Sequence, residues 1–355
     1  MKKRITGIDL IRIVAMFMIM NYHVLLYGSW MTGKASGSNL VAGRLLVDLT
    51  VISVNLFALV SGYVGLDSHH RLGRIVDLWL QVVFFSWLVL AYFYFEKNKV
   101  LSPELITHNL FPTVFKGYWY WNGYVLLFIL MPVLNKGLKS ISHRSYLLIM
   151  AALFIATSIL NINPNLDLFN IGLGYSGIWL IVLYVYGAYF KRFGIPKLLQ
   201  NKLILIVSGV IVWLAMYGVA QLFYKYKIWI NPNNFDITQF QYPFPLNMVL
   251  AVIVFCLFVQ IGVKSSRINA VITFLGKHSF SAYLLQTNPL IFSFLITNNY
   301  NFLRHLSTAN MLKTLLLISA AWYFGAIIID IIRELLFKLL LINRLTRKLN
   351  RMNQN

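Results

Sequence analysis

The chain has 355 residues, 59% of them hydrophobic and only 12% charged, with a mean hydropathy of +0.70 and a formal net charge of +21. A soluble domain is about 25% charged, so this composition excludes a soluble multidomain protein and points to an integral membrane protein. The basic residues lie between apolar runs rather than on one amphipathic face, which excludes a nucleic-acid binder and favours anionic lipid headgroups and a polyanionic cofactor as partners.

At about 20 apolar residues per crossing, the sequence predicts an all-α, polytopic membrane bundle of about ten spans. They fall near 6–27, 43–65, 75–95, 118–135, 146–162, 171–190, 203–223, 246–263, 271–297 and 312–340. The fourth and fifth are short, and the last is long enough to tilt or to continue along the interface. Residues 1–345 read as one transmembrane domain, followed by a short basic tail, 346–355.

Met1-Lys2-Lys3-Arg4 before an apolar run has the form of a signal peptide. Asp9 and Arg12 interrupt that run and no convincing small-residue cleavage site follows His23, so it reads as a retained first span. An arginine at membrane depth costs roughly 2.5 kcal/mol or more, so such groups face a protein interior and act there. Eleven steps of about 100° bring His23 to within about 20° of the Arg12 face, roughly 16 Å along the axis. Asp9 and Arg12, at i and i+3, can pair. Neutral imidazole is the usual general base near physiological pH, which makes Asp9, Arg12 and His23 candidate catalytic residues. The bland alternative is an arginine snorkelling to headgroups and a histidine satisfied at the interface.

The turn after the second span, His69-His70-Arg71-Leu72-Gly73-Arg74, has Asp67 and Asp77 beside it. Arg71 and Arg74, three apart on an incipient helix, can present guanidinium groups to one phosphate-bearing ligand. The same charges also fit plain membrane topology. The fourth span opens Tyr118-Trp119-Tyr120-Trp121-Asn122-Gly123-Tyr124, an interfacial aromatic belt in which Trp119, Tyr120 and Asn122 are candidate substrate contacts. Cys256 is the only cysteine, so neither an intrachain disulfide nor a thiolate metal cage is expected, and no metal is assigned. In the ninth span Ser279, Tyr283 and Gln286 follow i, i+4, i+7 spacing and form a polar stripe. That stripe serves either a substrate or interhelical hydrogen bonds of about 1 kcal/mol.

Basic residues mark one side of the membrane. Lys2, Lys3 and Arg4 lie there, followed by Arg71 and Arg74, Lys136, Lys139 and Arg144, then Lys191, Arg192, Lys197 and Lys202. Lys264, Arg267, Lys277, Arg333, Lys338, Arg344, Arg347, Lys348 and Arg351 continue the series. The opposite loops hold fewer: Lys34, Arg44, Lys97, Lys99, Lys116, Lys225, Lys227, Arg304 and Lys313. Both termini are therefore expected to be cytoplasmic. No loop is long enough for a soluble catalytic domain, so any chemistry is expected inside the bundle.

Taken together these elements resemble the acyltransferase-3 family of bacterial integral membrane proteins. Asp9, Arg12 and His23 are similar to its Arg-x10-His signature. Phe57-Ala58-Leu59-Val60-Ser61-Gly62-Tyr63 is similar to its run into Ser-Gly-aromatic, and Arg71 and Arg74 match its Arg-x-x-Arg. Trp119 to Pro132 and Gly276 to Gln286 resemble two later segments, in family order. The resemblance implies a bacterial cytoplasmic-membrane protein that moves an acetyl group from a cytoplasmic acetyl-CoA donor to a hydroxyl of a cell-envelope glycan or glycolipid. It also implies His23 as base or acyl relay, Arg12 in support, and Arg71 and Arg74 on the donor phosphates. Many relatives carry histidine where this chain has Gln286. Several also carry an added esterase-like domain, so this chain either completes transfer itself or hands the acyl group to a separate extracytoplasmic transferase. Two other readings are a transporter or flippase of a lipid-linked sugar and an envelope-assembly partner without activity.

Overall fold

The computed structural model describes residues 5–96, 101–115, 117–163, 166–226 and 241–342, with 344, 346 and 349. Lys2, Lys3, Arg4, Lys97, Lys99, Lys116, Lys227, Arg347, Lys348 and Arg351, and so most of the expected tail, lie outside the described residues. Every regular element among the described residues is helical. In chain order these are α1 Thr6–His23, α2 Met31–Lys34, α3 Gly37–Thr50, α4 Ser53–Gly65 and α5 Leu72–Glu96. Next come α6 Pro103–Leu110, α7 Trp119–Ser140, α8 His143–Phe154, α9 Gly177–Phe193 and α10 Lys202–Tyr226. The series ends with α11 Pro245–Val259, α12 Ser266–His278, α13 Phe280–Gln286, α14 Pro289–Ile291 and α15 Thr308–Leu339.

Five helical segments among the described residues are long and apolar enough to cross a bilayer: Thr6–Gly28, Gly37–Gly65, Leu72–Glu96, Lys202–Tyr226 and Thr308–Leu339. Others in the expected set of ten are shorter, except α7, whose 22 residues are long enough but carry polar and aromatic ends. Pro245–Val259, at 15 residues, extends only about 22 Å at roughly 1.5 Å per residue, against a hydrocarbon core of about 30 Å. Length and apolarity together thus support five spans outright among the described residues, and the further crossings rest on the sequence pattern.

Where observed and expected boundaries differ, local chemistry explains it. The second span begins earlier, at Gly37, and bends at Val51–Ile52. There Thr50 Oγ1 donates to the Leu46 carbonyl at 2.7 Å, a back-bond that bends helices. The sixth helix starts at Gly177 rather than near 171, because Ser176 caps it by accepting from the Trp179 N–H. The ninth segment is not continuous over 271–297: it breaks between α12 and α13 and again at Thr287–Asn288. Asn288 precedes Pro289, and the proline ring pushes the residue before it out of the helical region. The observed ψ of Asn288 is 131°.

α1 is central: α3, α4, α11, α12, α13 and α15 all pack against it. One very close seam in the bundle is α4 on α9. A Cβ at Gly62 would lie 2.1 Å from the Tyr184 carbonyl oxygen, and one at Gly187 would lie 2.0 Å from that of Leu59. Small residues let helix backbones approach in this way inside membranes. Gly187→Ala should force the pair apart and cost about 1–3 kcal/mol, the usual range for overpacking. Thermal unfolding in detergent checks this against Gly218→Ala, where the added methyl meets no neighbour within 4 Å and no loss is expected.

Candidate active site

Two cavities lie along the α1 stripe. The larger, about 780 Å³, is lined by Asp9 and Arg12 of α1, by Ser61, His69, His70, Arg74 and Asp77, and by Lys191, Lys277 and Ser279. The smaller, about 270 Å³, is lined by Tyr22, His23 and Tyr27 of the first span, by Ser53, and by Trp119, Tyr175, Tyr242, Tyr283, Thr287 and Phe292. Phe57 and Tyr120 line both. The partition is an aromatic cluster: Phe57 and Tyr120 have ring centroids 5.8 Å apart, Tyr120 and Tyr283 6.0 Å, and Tyr283 and Phe280 5.6 Å. The Tyr120 N–H donates to the Tyr283 hydroxyl at 3.3 Å, tying the start of α7 to α13.

The larger chamber is rich in cations, most of them matched. Asp9, fully buried, accepts from Arg12 Nη1 at 2.9 Å, and Thr273 donates to its other oxygen at 3.5 Å. α12 comes so close here that a Cβ on Gly276 would meet Asp9 Cβ at 2.9 Å. Lys191 and Lys139 both reach Asp67, at 3.9 and 3.4 Å. Lys277 reaches both oxygens of Glu334. Arg74 lines the chamber in the first turn of α5 and makes no ion pair among the described residues. A helix N-terminus and a guanidinium together favour anionic groups. His70 stacks on Phe128 at 4.1 Å, and burial lowers its pKa below the ordinary histidine value, so it is neutral at neutral pH.

In the smaller chamber the decisive contact is His23 Nδ1 to Gln286 Oε1, 2.9 Å across 263 residues of sequence. Gln286 is fully buried and its Nε2 donates to the Met20 carbonyl at 3.4 Å. Committing the amide nitrogen to Met20 leaves the oxygen for His23, and an amide oxygen only accepts. His23 Nδ1 therefore carries the proton, and Nε2 keeps its lone pair, the arrangement a general base needs. Phe292, Tyr27 and Tyr22 flank the imidazole at centroid distances of 5.5, 6.0 and 5.9 Å. The chain leaves α1 at His23 through a π-helical turn, Val24–Gly28. Its Tyr27 and Gly28 carbonyls accept from the Asn298 and Tyr300 N–H groups, pinning the histidine end of the helix to the end of the ninth segment.

The expected site residues divide between these chambers. Asp9, Arg12, Arg74 and Ser279 line the larger; His23, Trp119 and Tyr283 line the smaller; Tyr120 lines both. Gln286 sits behind His23 as its hydrogen-bond partner. Arg71 is exposed and lines neither chamber, and Asn122 also lies outside both, half-buried within α7. The expected Ser279–Tyr283–Gln286 stripe is split by the aromatic partition, with Ser279 on one side and Tyr283 on the other. Sequence reasoning missed Tyr175 and Tyr242, which come from connections between helices. Tyr242 is held by Asn55, whose Nδ2 donates to its carbonyl at 2.8 Å while Oδ1 accepts from Trp179 Nε1. It also missed His278, Asp330 and Arg333, a buried ionic cluster beside the larger chamber. Among the described residues no group of three or more His, Cys, Asp or Glu side chains could hold a metal ion.

No curated protein and no solved structure matches the chain. The model of the acyltransferase-3 family, an acyltransferase domain, matches residues 5–330. That match takes in both chambers, the partition between them and the helices that carry Arg12, His23, Arg74 and Gln286. The chain therefore belongs to the acyltransferase-3 family.

Proposed function

We propose that this acyltransferase is an O-acetyltransferase of the bacterial cytoplasmic membrane. It moves an acetyl group from acetyl-CoA, bound at the arginine-bearing chamber on the cytoplasmic side, to a hydroxyl of a cell-envelope glycan or glycolipid in the histidine-bearing chamber. The observation that carries this reading is the His23–Gln286 pair: an imidazole held as the Nδ1–H tautomer on the wall of a chamber separated by one aromatic layer from a cationic one. In this scheme both termini are cytoplasmic and the chain crosses the bilayer about ten times.

His23 Nε2 takes the proton of the acceptor hydroxyl as that oxygen attacks the thioester carbonyl carbon. The carbon–sulfur bond breaks, and the departing thiolate receives the proton from His23, giving the acetyl ester and free CoA. In the relay variant Nε2 attacks the thioester carbonyl and the carbon–sulfur bond breaks to release the CoA thiolate. The acceptor hydroxyl then attacks the acetyl carbon, the carbon–Nε2 bond breaks, and the hydroxyl proton passes to the thiolate. In the first route base and acid are one residue, and positioned proton transfer contributes about 10²–10⁴-fold. Arg12, oriented by Asp9, and Arg74 hold the donor's phosphates, and Arg71, three residues before Arg74 and outside the chamber lining, adds positive charge beside it. Membrane lipids surround the bundle, and a separate extracytoplasmic transferase receives the acetyl group if this chain does not complete transfer.

Purified protein in liposomes, supplied with labelled acetyl-CoA and envelope glycan, should release free thiol and label the glycan. A transporter or flippase of a lipid-linked sugar, which two chambers meeting at a partition would also suit, shows neither. Arg74→Ala should raise the KM for acetyl-CoA by about 10- to 100-fold, the equivalent of a charged hydrogen bond of roughly 1.5–3 kcal/mol, with kcat changed much less. Steady-state kinetics over donor concentration checks the split, and an unchanged KM removes Arg74 from the donor site.

A further inference from the structure

The acceptor chamber has a chemical character that narrows its substrate, provided the acyltransferase reading above is right about which chamber takes the sugar. Among the described residues lining it, none is Asp, Glu, Lys or Arg, and His23 is already engaged with Gln286. Its walls are aromatic. The Trp119 and Tyr242 rings stack at 6.0 Å and 22°, and Tyr175 closes on both at 4.9 and 4.8 Å. Polar contact comes from neutral hydroxyls, those of Tyr27, Ser53 and Thr287 among them.

Such a surface suits an uncharged sugar ring: C–H faces lie on aromatic planes while ring hydroxyls exchange hydrogen bonds with neutral partners. It does not suit a carboxylate or phosphate, which would lose its hydration with no counter-charge among the described lining residues. Size points the same way. At about 270 Å³ the chamber is smaller than the roughly 300–1,000 Å³ pockets of drug-sized ligands, so it takes one ring and not a disaccharide. The other chamber differs, because charged groups of both signs line it: Arg12, Arg74, Lys191 and Lys277 with Asp9, Asp67 and Asp77. We infer that the acceptor is a single uncharged sugar residue, stacked on Trp119, Tyr175 and Tyr242 and presenting its hydroxyl to His23. Uronate and phosphorylated sugars are excluded.

The test separates binding from chemistry. Purified protein in nanodiscs, without donor, is challenged with radiolabelled methyl glycosides of glucose, galactose and mannose and with the matched uronides and 6-phosphates. At least one neutral glycoside should bind tenfold or more tightly than its charged counterparts. Trp119→Leu should weaken that binding tenfold or more, while Trp119→Phe retains most of it. If Trp119→Leu does not yield monodisperse protein, Tyr175→Leu, at a half-exposed position, replaces it. Equal or tighter binding of a uronide or sugar phosphate, no binding of any neutral glycoside, or binding insensitive to the aromatic variants overturns the inference. Selective binding of the neutral ring with no acetyl transfer on adding acetyl-CoA sustains the inference and defeats the acyltransferase reading instead.

Discussion

His23→Ala should abolish acetyl transfer while the protein remains in the membrane at normal abundance. Loss of a positioned base lowers kcat/KM by about 10²–10⁴-fold, and loss of a covalent relay lowers it further, to background. The variant's fold should survive: His23 lines a cavity, so the Gln286 oxygen it leaves behind is open to water rather than sealed in a dry core. Gln286→Leu tests the supporting role separately. It removes the acceptor that selects the Nδ1–H tautomer, so activity falls, but by less than in His23→Ala because the imidazole itself remains. The readouts are CoA release by purified protein and the O-acetyl content of envelope glycans, with thermal unfolding as the control. Unchanged glycan acetylation in a correctly inserted His23→Ala strain would refute the role.

Much of this site is legible in the sequence because it lies on one helix. Arg12 and His23 share a face of α1 by periodicity alone, and their cost in an apolar run marks them as functional. Gln286 is readable as a polar residue on an apolar helix, but its partnership with His23 spans 263 residues and no local pattern encodes it. The missing histidine at that position therefore has a structural answer: the glutamine accepts a hydrogen bond from His23. Tyr175 and Tyr242 escape sequence reading for a related reason. Neither sits in a periodic segment, and Tyr242 reaches the chamber only because Asn55 of α4 holds its backbone. The break at Thr287–Asn288 is different, since Pro289 signals it plainly. An apolar window hides it, because averaging over about 20 residues rewards the flanking Leu and Ile and ignores one proline.

Asp330→Ala should be the most destabilising single change outside the helix seams. Asp330 is buried in α15, 1% exposed, and three donors from three helices converge on it. Gln81 Nε2 of α5 lies at 2.8 Å, His278 Nδ1 of α12 at 2.6 Å, and Arg333 Nε, one turn along α15, at 2.6 Å. Removing the carboxylate strands all of these donors together, two of them in a dry interior. Breaking one partner of a buried ionic cluster costs about 3–5 kcal/mol, chiefly because the remaining charge is left uncompensated. Pairing Asp330→Ala with Arg333→Leu removes that orphaned charge, so the double variant should recover part of the loss, whereas two independent defects would add. Thermal unfolding of detergent-solubilised single and double variants measures the coupling, and simple additivity would dismiss the network. The effect reaches the site through α12, whose next residues, Ser279 and Phe280, form the wall of the arginine-bearing chamber. A destabilised anchor should therefore raise the donor KM before the acceptor KM, because the histidine-bearing chamber is pinned separately through Gly28, Tyr300 and Gln286.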